Sequence, residues 1–247
     1  MILRKNIPNL ITLLNLTMGL VAIYLTLTGG EVELAYAGYF IFLAAAFDFM
    51  DGFAARLLKA KSELGVQLDS LADMVSFGVA PGFILYKMLM ISHGRPQDDL
   101  GGYHLFSLVA VLIPWGAALR LAKFNIDDSQ QMGFKGLPTP ALAFLIASLP
   151  IIRQTLYHDR GMVYMFFTNA YFLSSVAVFG FFLMISSFPM FALKFKHYGW
   201  KGNEIKYVFL LISLLLLLMY KIVAVPFIII TYLFFSLVLY LINIQED

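Results

Sequence analysis

Four aspartates carry the chemistry that this sequence offers. Asp48, Asp51, Asp69 and Asp73 stand in or against strongly apolar stretches, whereas the other acidic residues fall in loops and termini. Asp48 follows the apolar run 39–47, and Asp69 and Asp73 precede the run 74–86. An ionised carboxylate near hydrocarbon is expensive, so such acids point to function by default. Asp48 and Asp51 are spaced i,i+3 and Asp69 and Asp73 i,i+4, which puts each pair on one helix face. The interval between the pairs holds a short polar turn with Lys59, Lys61, Ser62 and Glu63, and Ser62 suits an N-cap. An antiparallel hairpin then brings the pairs together at similar depth. Four converging carboxylates repel unless cations neutralise them, and an all-oxygen ligand set favours Mg²⁺, Mn²⁺ or Ca²⁺ over Zn²⁺.

The residues around the acids fit a site for a flat, anionic ligand. Gly52 and Ala55 lie i+4 and i+7 from Asp48 and share its stripe, and Gly65 lies one turn before Asp69. Small residues let a ligand or another helix approach the backbone. Arg56 closes the stripe with a planar, permanently charged fork suited to phosphate.

The elements that position these residues are membrane spans. The chain has 247 residues, of which 61% are hydrophobic and only 13% charged, about half the charged share of an average soluble domain. Its mean hydropathy is +0.83. A soluble enzyme and a disordered chain are both excluded. Several apolar runs reach the roughly 20 residues that a spanning helix needs, which excludes the alternating strands of a barrel. The expected fold is an all-α polytopic membrane protein with about eight transmembrane helices, over 9–29, 35–55, 66–91, 104–124, 138–157, 162–190, 205–221 and 223–243. The polar segment 191–206 divides the chain into a membrane core, 1–190, and a C-terminal helix pair, 191–247. There are no cysteines, hence no disulfide and no thiolate chemistry.

The cations set the orientation. One side carries Arg4, Lys5, Arg56, Lys59, Lys61, Arg120, Lys123, Lys135, Lys194, Lys196, Lys201 and Lys206, and the other Lys87, Arg95, Arg153, Arg160 and Lys221. Lys and Arg mark the cytoplasmic face, so both termini and the aspartates are expected there. His93, His104 and His158 fall on the outer side and His197 in the 191–206 loop, away from the acids. No nucleic-acid partner is expected.

The order Asp48, Asp51, Gly52, Ala55, Arg56, eight residues, Gly65, Asp69, Asp73 resembles the CDP-alcohol phosphotransferase signature D-x2-D-G-x2-A-R-x8-G-x3-D-x3-D at every defining position. The resemblance implies a six-helix core, two divalent cations, a CDP-linked lipid donor and an alcohol acceptor. It also implies a homodimer. Two further segments, 119–125 (LRLAKFN) and 134–141 (FKGLPTPA), together with the opening 7–12 (IPNLIT), resemble the integral-membrane phosphatidylserine synthases of that family.

The resemblance implies that CDP-diacylglycerol and L-serine react to phosphatidylserine and CMP in the cell (inner) membrane. Asp48, Asp51, Asp69 and Asp73 would hold two Mg²⁺ or Mn²⁺ ions, and Asp73 would also be the catalytic base. Asn9, Thr12, Gly52, Ala55, Arg56 and Gly65 would bind the CDP-lipid, and Arg120, Lys123, Asn125 and Lys135 the serine. Two alternatives stay open. One is another acceptor, as in a phosphatidylglycerophosphate synthase. The other is a cation transporter using the intramembrane aspartates, although transporter sites usually lie at the midplane between repeats, and no repeat is visible here.

Overall fold

A chain in hydrocarbon must satisfy its backbone polar groups internally, and apolar runs of this length do so as helices. The computed structural model describes residues 2–60, 62–96, 99–100, 103–126, 134–191, 199–200 and 202–242, with backbone alone for 2–5, 99–100, 103 and 134. Lys61, Lys194, Lys196, Lys201 and His197 lie outside the described residues, as do the side chains of Arg4 and Lys5. The helices are α1 (Ile2–Thr28), α2 (Glu31–Leu57), α3 (Glu63–Asp73), α4 (Ala80–Met90), α5 (Leu112–Ile126), α6 (Thr139–Thr155), α7 (Met162–Phe167), α8 (Ala170–Ile185), α9 (Glu204–Tyr220) and α10 (Ala224–Leu241). Two small antiparallel ribbons accompany them, β1 (Asp99–Leu100) with β2 (Tyr103–His104), and β3 (Phe134–Lys135) with β4 (Pro189–Met190).

Among the described residues, five continuous helical stretches are long and apolar enough to cross a membrane: Asn6–Thr28, Glu31–Leu57, Glu63–Met90, Leu105–Ile126 and Glu204–Leu241. The last is a reversal rather than one rod. Lys221 adopts φ 50°, and α9 and α10 pack on each other. α6, with 17 residues, and α8, with 16, complete the bundle. Leu10, Leu20, Leu27, Leu214, Leu218 and Phe234 are each more than half exposed, an apolar perimeter that water would not tolerate and lipid does. The protein is a multi-pass membrane protein.

The expected span over 162–190 is interrupted. α7 ends at Phe167, and the Asn169 side chain accepts hydrogen bonds from the backbone N–H groups of Tyr171 and Phe172 at 2.9 and 3.3 Å, starting α8 afresh. Asn is among the strongest N-caps, and the Thr-Asn pair before an apolar run is the sequence signal for this break. The span over 104–124 likewise opens as a 3₁₀ turn, Leu105–Val111, ahead of Pro114, because proline has no N–H to donate to the preceding turn.

Packing rests on small residues. Leu34, Ala37, Ile41 and Ala44 form a fully buried stripe on α2, which runs along Ala143, Ile146 and Ala147 of α6. Between spans, dispersion and close backbone approach replace the hydrophobic effect. About 30 Å along α2 from Asp51, Arg153 ties the other end of the bundle. Its Nη2 and Nε donate to Glu31 at 2.8 and 3.3 Å, and its Nη1 donates to the Ile91 carbonyl at 3.3 Å.

The loop into α6 is seated on the end of α8. Gly136 donates its N–H to the Phe188 carbonyl at 2.8 Å and Leu137 to the Leu183 carbonyl at 2.9 Å. Gly136 has φ 72°, and a Cβ there would meet the carbonyl oxygens of Met184, Ser186 and Leu183 at 2.6–2.9 Å. A side chain in left-handed backbone costs about 1–3 kcal/mol, to which this collision adds. Gly136→Ala should therefore lower the thermal unfolding midpoint in detergent. An unchanged midpoint would mean that the loop does not sit against α8 in this way.

Candidate active site

The hairpin between α2 and α3 builds the site. Lys59 takes φ 51° in the turn, and Ser62 caps α3 by accepting the Gly65 N–H at 3.0 Å. The last turns of α2 present Asp48 and Asp51, and α3 presents Asp69 and Asp73. One carboxylate oxygen from each of Asp48, Asp51 and Asp69 lies within 4.8 Å of the others. Asp73 stands outside that trio at the end of α3, and Asp48 lies against both it and Asp69. Immediately after Asp73 the helix widens into a π-helical segment, Met74–Val79, a local form that recurs at functional sites.

α1 supplies the polar partners of these acids. Thr12, only 3% exposed, donates its hydroxyl to Asp51 Oδ2 at 2.6 Å, with the Pro8 carbonyl also within 3.0 Å. Asn15 Nδ2 donates to Asp73 Oδ1 at 3.1 Å, and Ser76 of the π-helical segment donates to the Asn15 carbonyl at 3.0 Å. Asn15 was not foreseen, although an asparagine inside an apolar span is itself a signal. Asn9, on the same face of α1, crosses α3 at Gly65. A Cβ at Gly65 would stand 3.1 Å from Asn9 Oδ1.

The flank of α2 beside the acids is open. A Cβ at Gly52 would meet nothing nearer than Arg56 Nη2 at 4.0 Å. Arg56 is exposed, and its Nε donates to the Gly52 carbonyl at 3.0 Å. Ala55 is half-buried on the same stretch.

The four residues expected around the acceptor have different surroundings. Arg120 is buried, with Nη1 donating to Thr139 Oγ1 at 3.2 Å and Asp73 within electrostatic range. Its Nε has no hydrogen-bond partner among the described residues. Lys123 is exposed, and its Nζ donates to the Ile185 carbonyl at 3.4 Å, where a cation suits the C-terminal end of α8. Asn125 is exposed and accepts from Ser70 Oγ at 3.1 Å, and Lys135 is exposed on β3. Of these four, Arg120 is the buried cation, and it lies within electrostatic range of Asp73.

The profile of the CDP-alcohol phosphatidyltransferase family matches residues 5–178, a stretch that includes all four acids, most of α1 and Arg120. The chain belongs to the CDP-alcohol phosphatidyltransferase family. A Helicobacter pylori (strain 26695) protein is 30% identical over 211 residues, covering 84% of this chain and 80% of its own length. A Bacillus subtilis protein is 39% identical over 134 residues, 54% of this chain and 69% of that one. A Methanocaldococcus jannaschii protein is 36% identical over 140 residues, 57% of this chain and 58% of that one. Each of the three is named CDP-diacylglycerol–serine O-phosphatidyltransferase.

In a phosphatidyltransferase of this family the acids must fit divalent cations, and here they do. The donors are all oxygens at bridging separations, and Asp69 Oδ1 is buried without a hydrogen-bond partner among the described residues. A buried carboxylate oxygen with no hydrogen-bond donor suits coordination of a hard cation. Thr12, expected to bind the CDP-lipid, has its hydroxyl engaged on Asp51, as Asn15 has its amide on Asp73, the arrangement of outer partners to metal ligands. Loss of such a partner typically weakens metal binding about 10–100-fold. Thr12→Val, which keeps the shape and removes the donor, should raise the Mg²⁺ or Mn²⁺ concentration for half-maximal activity by about ten-fold. An unchanged metal titration would show that the Thr12 hydroxyl does not aim Asp51.

Proposed function

We propose that this protein transfers the phosphatidyl group of CDP-diacylglycerol to the hydroxyl of L-serine, releasing phosphatidylserine and CMP. The observation that carries this reading is the convergence of three aspartate carboxylates at the α2–α3 hairpin, with a buried arginine, Arg120, within electrostatic range of the fourth. The names of the relatives support the choice of serine.

Asp48, Asp51 and Asp69 would hold one divalent cation, Mg²⁺ or Mn²⁺, and Asp73 would contribute to a second. Bound there, such a pair supplies neutralisation of the diphosphate and stabilisation of the leaving oxygen. The chain's own residues do the rest. Arg56 holds the diphosphate at the mouth of the site, and the open flank at Gly52 and Ala55 admits the cytidine. Asn9 lines the entry between α1 and α3. Arg120 receives the serine carboxylate, with Lys123, Asn125 and Lys135 at the outer edge of the approach.

Asp73, aimed by Asn15, takes the proton of the serine hydroxyl as its oxygen forms a bond to the phosphorus of the phosphatidyl group. The bond from that phosphorus to the CMP oxygen breaks, and CMP leaves. Positioned proton removal contributes typically about 10²–10⁴-fold. The reading places the enzyme in the cell inner membrane as a homodimer, with both termini and the aspartates cytoplasmic. It treats 1–190 as the catalytic core and 191–247 as an appended helix pair.

The test is CMP release by the purified protein given CDP-diacylglycerol and a panel of alcohols with Mg²⁺ or Mn²⁺. Serine should be the productive acceptor. Release with glycerol phosphate in place of serine would reassign the acceptor, and no CMP release with any alcohol would overturn the enzyme reading in favour of ion transport.

A further inference from the structure

The C-terminal helix pair lies beyond the family match, which ends at residue 178, and the reaction above gives it no task. The structure shows what it holds. β4 follows α8 and pairs with β3, Phe134 opposite Met190 and Lys135 opposite Pro189. Directly after β4, the Phe191 carbonyl accepts the Tyr232 hydroxyl at 3.1 Å, and the Phe191 N–H donates to Ser236 Oγ at 3.4 Å. Tyr232 and Ser236 both belong to α10 and are buried, at 8% and 1% exposed. Phe191 also packs between Tyr232, with ring centroids 4.9 Å apart, and Phe209 of α9, at 5.4 Å. Both helices of the pair therefore grip one residue.

That residue leads straight to the acceptor side. Phe191 continues β4, β4 pairs with β3, and β3 runs through Gly136 into Thr139, which accepts from Arg120. Tyr232 also lies within electrostatic range of Arg120 itself, and α10 packs directly on α6. We propose that Tyr232 and Ser236 are positioning residues of the acceptor pocket: through Phe191 and the β3–β4 ribbon, the C-terminal pair sets where Thr139 and the Arg120 guanidinium stand. This rests on the reading that Arg120 binds the acceptor. Among the described residues, no hydrogen bond links the donor side, on α1, α2 and α3, to α10.

The experiment varies each substrate in turn for Tyr232→Phe, which keeps the ring in its aromatic cluster, and for Ser236→Ala. Thr231→Val is the control, since Thr231 is a half-buried α10 residue whose hydroxyl donates within its own helix, to the Phe227 carbonyl. Each hydroxyl lost should raise the acceptor KM about five-fold, with the CDP-diacylglycerol KM and kcat nearly unchanged, and Thr231→Val should change neither. The acceptor used is whichever alcohol the wild type turns over best. A protein that prefers another alcohol would thus refute the serine reading while still testing the clamp. The clamp is overturned if both variants keep a normal acceptor KM, or if both KM values rise equally. It is also overturned if only the thermal midpoint falls.

Discussion

Asp69→Asn should lower CMP release at saturating Mg²⁺ by on the order of 10³-fold, about 4 kcal/mol of transition-state stabilisation, while leaving the metal-free protein no less stable. The two halves of this expectation have one cause. Carboxylate oxygens of Asp48, Asp51 and Asp69 stand within 4.8 Å of one another. Two like charges about 4 Å apart repel by about 4 kcal/mol at an effective dielectric of about 20. Without cations the ionised carboxylates repel one another, and removing one charge relieves that repulsion. With cations the same substitution removes a ligand whose Oδ1 has no other partner among the described residues. The measurements are a metal titration of CMP release and thermal midpoints in chelator and in Mg²⁺. The midpoint in chelator should hold or rise, and the increase on adding Mg²⁺ should shrink. Asp48→Asn and Asp51→Asn should behave alike. Metal-dependent turnover that survives Asp69→Asn, or a fall of several degrees in chelator, would assign these acids a structural role.

Arg120→Gln should raise the serine KM about 10–150-fold, the loss of a charge-assisted hydrogen bond worth about 1.5–3 kcal/mol, with little change in kcat. Arg120 is buried, keeps one nitrogen on Thr139 and has its Nε unpartnered among the described residues. That leaves guanidinium edge for a carboxylate, which glycerol and inositol themselves lack. Arg120→Lys should recover little, because a point charge cannot reproduce the planar fork. Lys123→Gln is the internal contrast. Its ammonium is exposed and engaged at the end of α8, so its serine KM should move by less than about three-fold. If Arg120→Gln instead weakens CDP-diacylglycerol and spares serine, Arg120 is a phosphate ligand and the acceptor pocket lies elsewhere.

The acids were legible because their geometry is local. Spacings of three and four residues on a helix need no tertiary information to share a face, and the short turn between α2 and α3 leaves the hairpin little freedom. The Ser62 cap followed from the same local logic and is present. The break before α8 was missed: the strongly apolar residues on both sides of Thr168 and Asn169 read as one span. Hydropathy averages over a window, whereas a cap is a single side chain meeting two backbone N–H groups.

What the sequence by itself determined is therefore the membrane class, most of the helical segments and the aspartate constellation with its flanking Gly52, Ala55 and Arg56. Composition and near-neighbour spacing carry all of these. Only the tertiary structure decided that Thr12 aims Asp51 and Asn15 aims Asp73, across 39 and 58 residues. It alone separated buried Arg120 from Lys123, three residues away on the same helix. It alone brought Tyr232 of the last helix to Phe191, and so to the ribbon beside the acceptor loop. Polar side chains in an apolar bundle must find partners wherever the packing of other helices places them. That choice depends on the rotation and depth of every helix at once, which no window of sequence contains.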